Sequence, residues 1–390
     1  MLSINDPRLT LACPLMTPCW QSYLSRMVLY LATVLRCSTE GVTMFSSVFS
    51  KQPKLLTING AQPIEVQAKE TILQAALRAD VAFPHSCRVG GCAGCKCQLN
   101  EGKVKELTES SYILTAEELS QGYILACQAV PKEDVSISVE LDTYAQSFEV
   151  MRQTGTITKQ WKLTQDITAL EISLPQNMPY AAGQFVNLAI SGFSNAVRSY
   201  SFATAPNAVS NNVQLYIKHV SGGVLSPVVH VENLVGKDIV LDGPHGNFYL
   251  RDSDAPMLCI AGGSGLAPVK ALLEQAFIDK VKRDVTFIFA ARTQQDLYCL
   301  NEINEMSKSW LGSFEFIPVL SNEADSSEWK GERGYVTDVL PKLLTGEEQA
   351  YLCGPPPMID AAVEMLRHHS VPSHHIFFDK FVSQAQVAAA

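Results

Sequence analysis

The spacing of hydrophobic and polar positions changes character several times along the chain. Within residues 1–50 one apolar stretch, Met27 to Leu35, is relieved only by Tyr30 and Thr33 and is bracketed by Arg26 and Arg36. Nine helical residues rise only about 14 Å against roughly 30 Å of hydrocarbon, too short to span a bilayer. A secretory signal would place its positive charge first and a small-residue cleavage site last, and neither is clear here. We read 1–50 as a leader of uncertain status, with a surface anchor as the alternative; Met44 lies just before the first organised region.

From Leu55 the pattern becomes regular. Leu55 to Gly60 reads as a strand entering a turn and Ile64 to Val66 as its return, while Thr71 to Arg78 has helical apolar spacing with Glu70 near its start. A glycine- and cysteine-rich loop runs from Ser86 to Cys97, and Val135 to Leu141 alternates like a half-buried strand. Residues 51–142 therefore form a small α+β domain, followed by a linker over 143–150. Short strands at 169–174, 184–188 and 213–218, punctuated by Gly and Pro, predict an antiparallel β-barrel over 150–250. Buried-strand patterns at 257–261, 285–290 and 314–320, with a helix over 266–277, predict an α/β domain with a parallel sheet over 255–382.

Composition narrows the function. The 390 residues carry 30 basic and 39 acidic side chains, a net charge of −9, which disfavours a general nucleic-acid or anionic-membrane binder. Hydrophobic residues at 47% exclude a disordered chain. Of 11 cysteines, Cys87, Cys92, Cys95, Cys97 and Cys127 crowd one region, whereas Cys13, Cys19, Cys37, Cys259, Cys299 and Cys353 are scattered and read as buried small apolar residues. That distribution fits a reducing, cytoplasmic compartment better than a disulfide scaffold.

Cys87-x4-Cys92-x2-Cys95, with Cys127 thirty-two positions on, matches the plant-type [2Fe–2S] spacing. Three thiolates on one loop and a remote fourth can enclose two irons, with Gly90, Gly91 and Gly94 permitting the tight backbone path. Structural zinc is the competing reading, though zinc sites favour paired Cys-x2–4-Cys units. Cys97 leaves the ligand set open in principle; the spacing favours it as a packed, non-ligating residue.

Residues 55–142 thus resemble a plant-type ferredoxin domain of the β-grasp class. The region after them resembles a ferredoxin–NADP⁺ reductase-type flavoprotein module, and the whole resembles the single-chain reductase components of bacterial multicomponent oxygenases. The resemblance implies FAD, a [2Fe–2S] cluster and NADH as cofactors. It also implies that Arg198 pairs with the flavin pyrophosphate, Tyr200 lies against the flavin ring and Ser201 sits near its reactive nitrogen. A guanidinium suits a diphosphate and an aromatic ring a flat apolar surface. Lys218, Gly222, Gly223 and Ser226 fall where the family places the rest of its phosphate cradle. Gly183-Gln184-Phe185 and Gly243-Pro244-x-Gly246-x-Phe248 read as turns shaping the barrel, and His219 and His245 as surface or turn histidines.

Gly262-Gly263-Ser264-Gly265-Leu266-Ala267-Pro268 follows a buried strand and opens a helix, a context in which backbone N–H groups attract a pyrophosphate. It is not the Gly-x-Gly-x-x-Gly fingerprint but matches the family's own loop. Cys353-Gly354-Pro355 is implied to border the nicotinamide, with Cys353 near the line of hydride transfer or, alternatively, a core cysteine. Arg292 and Asp296 match a further family pattern. Ser321 to Glu328 holds three acids and no base, which disfavours a 2′-phosphate and favours NADH, with Arg292 keeping NADPH as the minority reading. Phe377-Phe378-Asp379-Lys380-Phe381 is placed after the last expected strand.

The implied activity is transfer of electrons from NADH through FAD and the cluster to a terminal oxygenase that hydroxylates an apolar or aromatic substrate. A diiron monooxygenase is preferred on the weak likeness of the C-terminal aromatic run, with a Rieske-type dioxygenase as the alternative. Residues 65–142 hold twelve acids and seven bases, so a partner with a basic docking patch is expected. A stand-alone reductase serving a dehydratase or desaturase, a flavin/iron–sulfur subunit of a membrane NADH:quinone reductase and a non-enzymatic iron–sulfur sensor are the remaining readings. No nucleic-acid partner and no stable membrane insertion are expected.

Overall fold

A computed structural model describes residues 53–85, 90, 94–114, 116–141, 148–190, 196–207 and 210–381. The leader, most of the linker, Cys87 and Cys92 lie outside them. Three sheets organise the described chain, each with its own buried core.

The first is built from β1 (Lys54–Ile58), β2 (Ile64–Val66), β3 (Lys96–Glu101), β5 (Tyr123–Leu125) and β7 (Val135–Ser138) in the order β2-β1-β7-β3-β5, with β4 (Val104–Glu106) and β6 (Ala129–Pro131) forming a separate ribbon. Asn59 and Gly60, both at positive φ, turn the chain between β1 and β2, a conformation Asn and Gly adopt readily. β1 and β7 run parallel through the middle of the sheet. Helix α1 (Ile72–Arg78) begins where Thr71 and Gln74 close a capping box and lays Ile72, Leu73, Ala75 and Ala76 into the core. Leu73 donates its amide to the carbonyl of Ala126, so the helix is tied to the segment carrying Cys127. A short helix, α2 (Ala116–Ser120), precedes β5.

The second sheet contains β8 (Met151–Lys162), β9 (Ile167–Ser173), β10 (Phe185–Ile190), β11 (Arg198–Ser201), β12 (Asn212–Lys218) and β13 (Asp238–His245), ordered β11-β10-β13-β8-β9-β12, with helix α3 (Ser226–Val231) beside it. A bridge between Phe202 and Leu215 brings the two edge strands together, so the antiparallel sheet is nearly closed into a barrel. The two glycine turns meet: a Cβ on Gly183 would stand 2.4 Å from the carbonyl oxygen of Phe248, and Gln184 donates to the carbonyl of Gly246 at 3.0 Å. That contact explains why glycine is required at 183.

The third sheet is parallel throughout. β14 (Met257–Gly262), β15 (Val285–Ala291), β16 (Phe314–Leu320), β17 (Glu332–Arg333), β18 (Gln349–Gly354) and β19 (Ile376–Lys380) take the order β17-β16-β15-β14-β18-β19. The helices α4 (Leu266–Ile278), α5 (Leu300–Lys308), α6 (Val336–Val339) and α7 (Pro356–His368) cover it, and separate cores form on its two faces, as a fully buried parallel sheet requires. The aromatic run at 377–381 corrects an expectation. Instead of following the last strand it largely forms it: Phe377 stacks on Tyr351 at 5.3 Å between ring centres, and Phe378 packs on the opposite core. Among the described residues no helix is long and apolar enough to cross a membrane.

Candidate functional site

Three groups of residues carry the candidate chemistry. In the first, Cys95 and Cys127 are both buried, and the Cys127 amide donates to Cys95 Sγ at 3.4 Å. Gln128 donates its side-chain N–H to Cys127 Sγ at 3.5 Å, while the Thr108 hydroxyl donates to Gln128 Oε1 at 3.2 Å. Gly90 packs so closely that a Cβ there would lie 2.8 Å from Gln128 Cγ, and its φ of +83° suits glycine. Two buried sulfurs receiving N–H donors inside an apolar shell are a donor set suited to iron–sulfur ligation. Cys97 points instead into the core from β3, 1% exposed.

The second group lies on the barrel. Strand period places Arg198 and Tyr200 on one face and turns Ser201 inward, where it is buried. Val186 and Leu188 of β10 stand opposite Tyr200 and Arg198. Burial pushes the Tyr200 hydroxyl well above its ordinary value despite nearby Arg198. In the turn at 220–226, Val220 donates its amide to Ser226 Oγ at 3.0 Å, and a Cβ on Gly223 would meet the Val220 carbonyl oxygen at 2.9 Å. Gly222, at φ +71°, has nothing within 4 Å of where a Cβ would stand, which leaves its backbone approachable.

A cavity of about 500 Å³ forms the third group, between the barrel and the parallel sheet. It gathers Lys218, Gly262, Gly263, Arg292, Asp296 and Pro355 from four separate segments. The Gly263 carbonyl accepts from the Tyr298 hydroxyl at 2.9 Å, and a Cβ on Gly265 would stand 2.3 Å from the carbonyl oxygen of Cys353. Ser264, Gly265 and Pro268 thus form the buried start of α4 behind the cavity wall. Gly354 lies against Gly262 and Met358, where a Cβ would be 2.7 Å from Met358 Cε. A floor of glycine backbone ending at a helix start, with lysine and arginine at the rim, suits a dinucleotide pyrophosphate.

Some residues sit elsewhere than expected. Lys218 lines this cavity, its Nζ 3.5 Å from Asp166 Oδ2. Cys353 is fully buried, and burial, with Asp379 nearby, raises its thiol well above the ordinary range. It forms part of the core behind the cavity and does not line it. His245 is buried rather than a surface or turn residue: Nε2 lies 2.7 Å from Asp242 Oδ1. Of the scattered cysteines within the described residues, Cys259 and Cys353 are buried and Cys299 is half-buried.

Asp166 was not singled out from sequence, yet it joins Lys218 to Arg292, whose guanidinium stands 3.3 Å from both Asp166 and Asp296. Burial opposes ionisation of Asp166, but Lys218, the Thr164 hydroxyl and Arg292 outweigh it and leave the carboxyl below its ordinary value. Asp166 sits in a polar turn between β8 and β9, where no spacing marks it. Gly334 and Tyr335 also line the cavity; the positive φ of Gly334 after a short strand is the local signal for them.

Family models match in the same order as the three sheets. The 2Fe-2S iron-sulfur cluster binding domain matches residues 56–132, the oxidoreductase FAD-binding domain 154–249 and the oxidoreductase NAD-binding domain 259–364. The electron transfer component of the xylene/toluene monooxygenase of Pseudomonas putida is 41% identical over 322 residues, covering 82% of this chain and 91% of that one. The chain belongs to the family of monooxygenase reductase components.

The reductase is also 35% identical over 331 residues to the phenol 2-monooxygenase reductase component of Pseudomonas sp. (strain CF600), covering 83% and 93% of the two chains. Among solved structures it resembles the cytochrome P450 reductase of Amycolatopsis, with a TM-score of 0.69 and 29% identity over 85% of this chain and 99% of that one. The reductase takes FAD, a [2Fe–2S] cluster and NADH, and is an NADH:acceptor oxidoreductase.

Proposed function

We propose that this reductase supplies single electrons to a terminal diiron monooxygenase acting on an apolar or aromatic substrate. The likeness to the electron transfer component of a xylene/toluene monooxygenase, 41% identical over 82% of this chain, supports a monooxygenase partner and an aromatic substrate, and the choice of a diiron partner rests on the likeness of the C-terminal aromatic run. The bound groups supply conversion of the electron pair of NADH into single electrons leaving through the cluster. The chain's own residues bind and orient them.

Cys87, Cys92, Cys95 and Cys127 would hold the cluster, the last two buried and receiving N–H donors. Arg198, Gly222, Gly223 and Ser226 would hold the flavin diphosphate, with Tyr200 and Ser201 beside the ring. Lys218, Gly262, Gly263, Ser264, Gly265, Pro268, Arg292, Asp296, Gly354 and Pro355 would form the dinucleotide site, Cys353 supporting its wall from behind. Arg292 lies between two carboxylates, which leaves little positive charge for a 2′-phosphate and supports preference for NADH over NADPH. The clustered cysteines support a reducing, cytoplasmic setting.

Anaerobic mixing of the purified holoprotein with NADH should bleach flavin and then cluster, with NADPH much slower. The reduced protein should then pass electrons to a diiron hydroxylase. Turnover with a Rieske oxygenase and none with diiron hydroxylases would favour the second reading, which the likeness to the ferredoxin reductase in carbazole 1,9a-dioxygenase supports (TM-score 0.63, 28% identity, 85% of this chain).

A further inference from the structure

Lys270 is only 4% exposed, on the face of α4 that packs into the core with Leu266, Ala267 and Leu273. A lysine ammonium in such surroundings costs several kcal/mol unless it is paired, and core filling alone would be better served by Leu or Met. Its charge meets Glu274 one helical turn on, and Nζ also donates to the carbonyl of Ala203 at 3.4 Å. The other carboxylate oxygen of Glu274 accepts the amide of Ala205 at 2.9 Å. Ala203 and Ala205 follow directly on β11, the strand ending at Ser201.

The same segment is fixed from within the barrel. Phe202 stacks on Tyr180 at 3.7 Å between ring centres, the Tyr180 hydroxyl donates to the carbonyl of Thr204 at 3.1 Å, and the Ala203 amide donates to the carbonyl of Gln214 at 2.9 Å. Residues 202–205 are therefore a rigid extension of the proposed flavin strand. α4 is equally a rigid extension of the glycine loop, since it starts at Leu266 with Gly265 crowded against Cys353. Lys270 and Glu274 join two stiff pieces, one from each half of the module.

We infer that Lys270 and Glu274 are positioning residues that set the distance between the Tyr200–Ser201 strand and the Gly262–Gly265 loop, and through it the approach of nicotinamide to flavin. This rests on the functional reading above. Hydride transfer, a proton moving with its electron pair, is sharply sensitive to separation: an error of about 1 Å costs on the order of 100-fold in rate. Neither Lys270 nor Glu274 lines the cavity that gathers Lys218, Gly263 and Arg292, so nucleotide binding there should not depend on the pair.

The test uses the FAD- and cluster-loaded protein. Glu274→Ala removes the anchor for Ala205; it should slow flavin bleaching at saturating NADH by about 10- to 100-fold. The Kd for NAD⁺ and the FAD content should be unchanged, and the Ala205 amide should exchange faster with solvent. Glu274→Gln alone keeps an acceptor for the Ala205 amide and a partner for Lys270, and should return bleaching close to the wild-type rate. Wild-type bleaching in Glu274→Ala despite faster Ala205 exchange would overturn the inference. So would a rate loss that tracks lost FAD or weakened NAD⁺ binding, or a Glu274→Gln variant as slow as Glu274→Ala. If NADH fails to bleach the wild-type protein, the functional reading itself falls and this inference with it.

Discussion

Lys218 Nζ stands 3.5 Å from Asp166 Oδ2 at the rim of the cavity between barrel and parallel sheet, although Lys218 ends a barrel strand and Gly222 lies in the next turn only four residues later. A strand end and the turn after it can face different surroundings, and Lys218 faces the cavity. The lysine looks toward Gly263, where an added Cβ would be 3.5 Å from Nζ.

Lys218→Ala should therefore weaken NAD⁺ binding while FAD is retained. Loss of one charge-assisted contact to phosphate predicts about a tenfold rise in Kd. Titration of NAD⁺ into flavin-loaded protein at two salt concentrations checks it, the loss being smaller at high salt. Flavin released on purification, with nucleotide affinity intact, would return Lys218 to the flavin turn.

Cys97→Ala should keep the cluster, and Cys127→Ser should lose it. Cys97 fills core beneath β3, so its replacement costs packing only, whereas Cys127 is one of the two described thiols that receive N–H donors. Iron and acid-labile sulfide analysis with the low-temperature paramagnetic signal of reduced protein distinguishes the two. NADH should still bleach the flavin in both variants.

Gln128→Leu should lower the midpoint potential of the cluster. An N–H donor to a ligating sulfur favours the reduced, more negative state, so its removal favours the oxidised one. Thr108 holds the opposite end of the amide, and Thr108→Val should shift the potential in the same direction by less. A redox titration followed by the paramagnetic signal gives both values.

Glu348 gives a pH prediction. Burial alone would raise its carboxyl, but the hydroxyl and amide of Thr345, at 2.7 and 2.5 Å, and the Gly346 amide at 3.0 Å hold it below the ordinary 4.5. The folded value lies under the unfolded one, so its stabilisation is fully present above about 4.5 and is lost as pH falls through the folded value. Glu348→Gln should lower Tm by about 2–4 °C at pH 7, the effect of roughly 1 kcal/mol in a domain of this size. The difference from wild type should shrink below pH 4.5, as thermal unfolding across pH would show.

Local chemistry was readable from the sequence where backbone geometry dictates residue type. The glycine loop at 262–265 follows a buried run and opens a helix, and the strand at 198–201 has the alternation that puts Arg198 and Tyr200 on one side. What pattern could not supply was the meeting of distant segments. Asp166 matters because its turn faces Arg292, 126 positions away, and nothing within Thr164-Gln165-Asp166 encodes that. His245 looked like a turn residue because Gly243-Pro244 precedes it, yet the strand continues through that pair and buries the ring. The C-terminal aromatics were misplaced for a related reason: only pairing of β19 with β18 turns Phe377 toward Tyr351.

The contact of Gly265 with the carbonyl of Cys353 leaves no room for even one methyl group. The two walls meeting there behave mechanically as a single casting, so neither can be reshaped alone. Redesign toward a different pyridine nucleotide is thereby steered to the other lining residues of the cavity, among them Arg292, Ser321 and Tyr335.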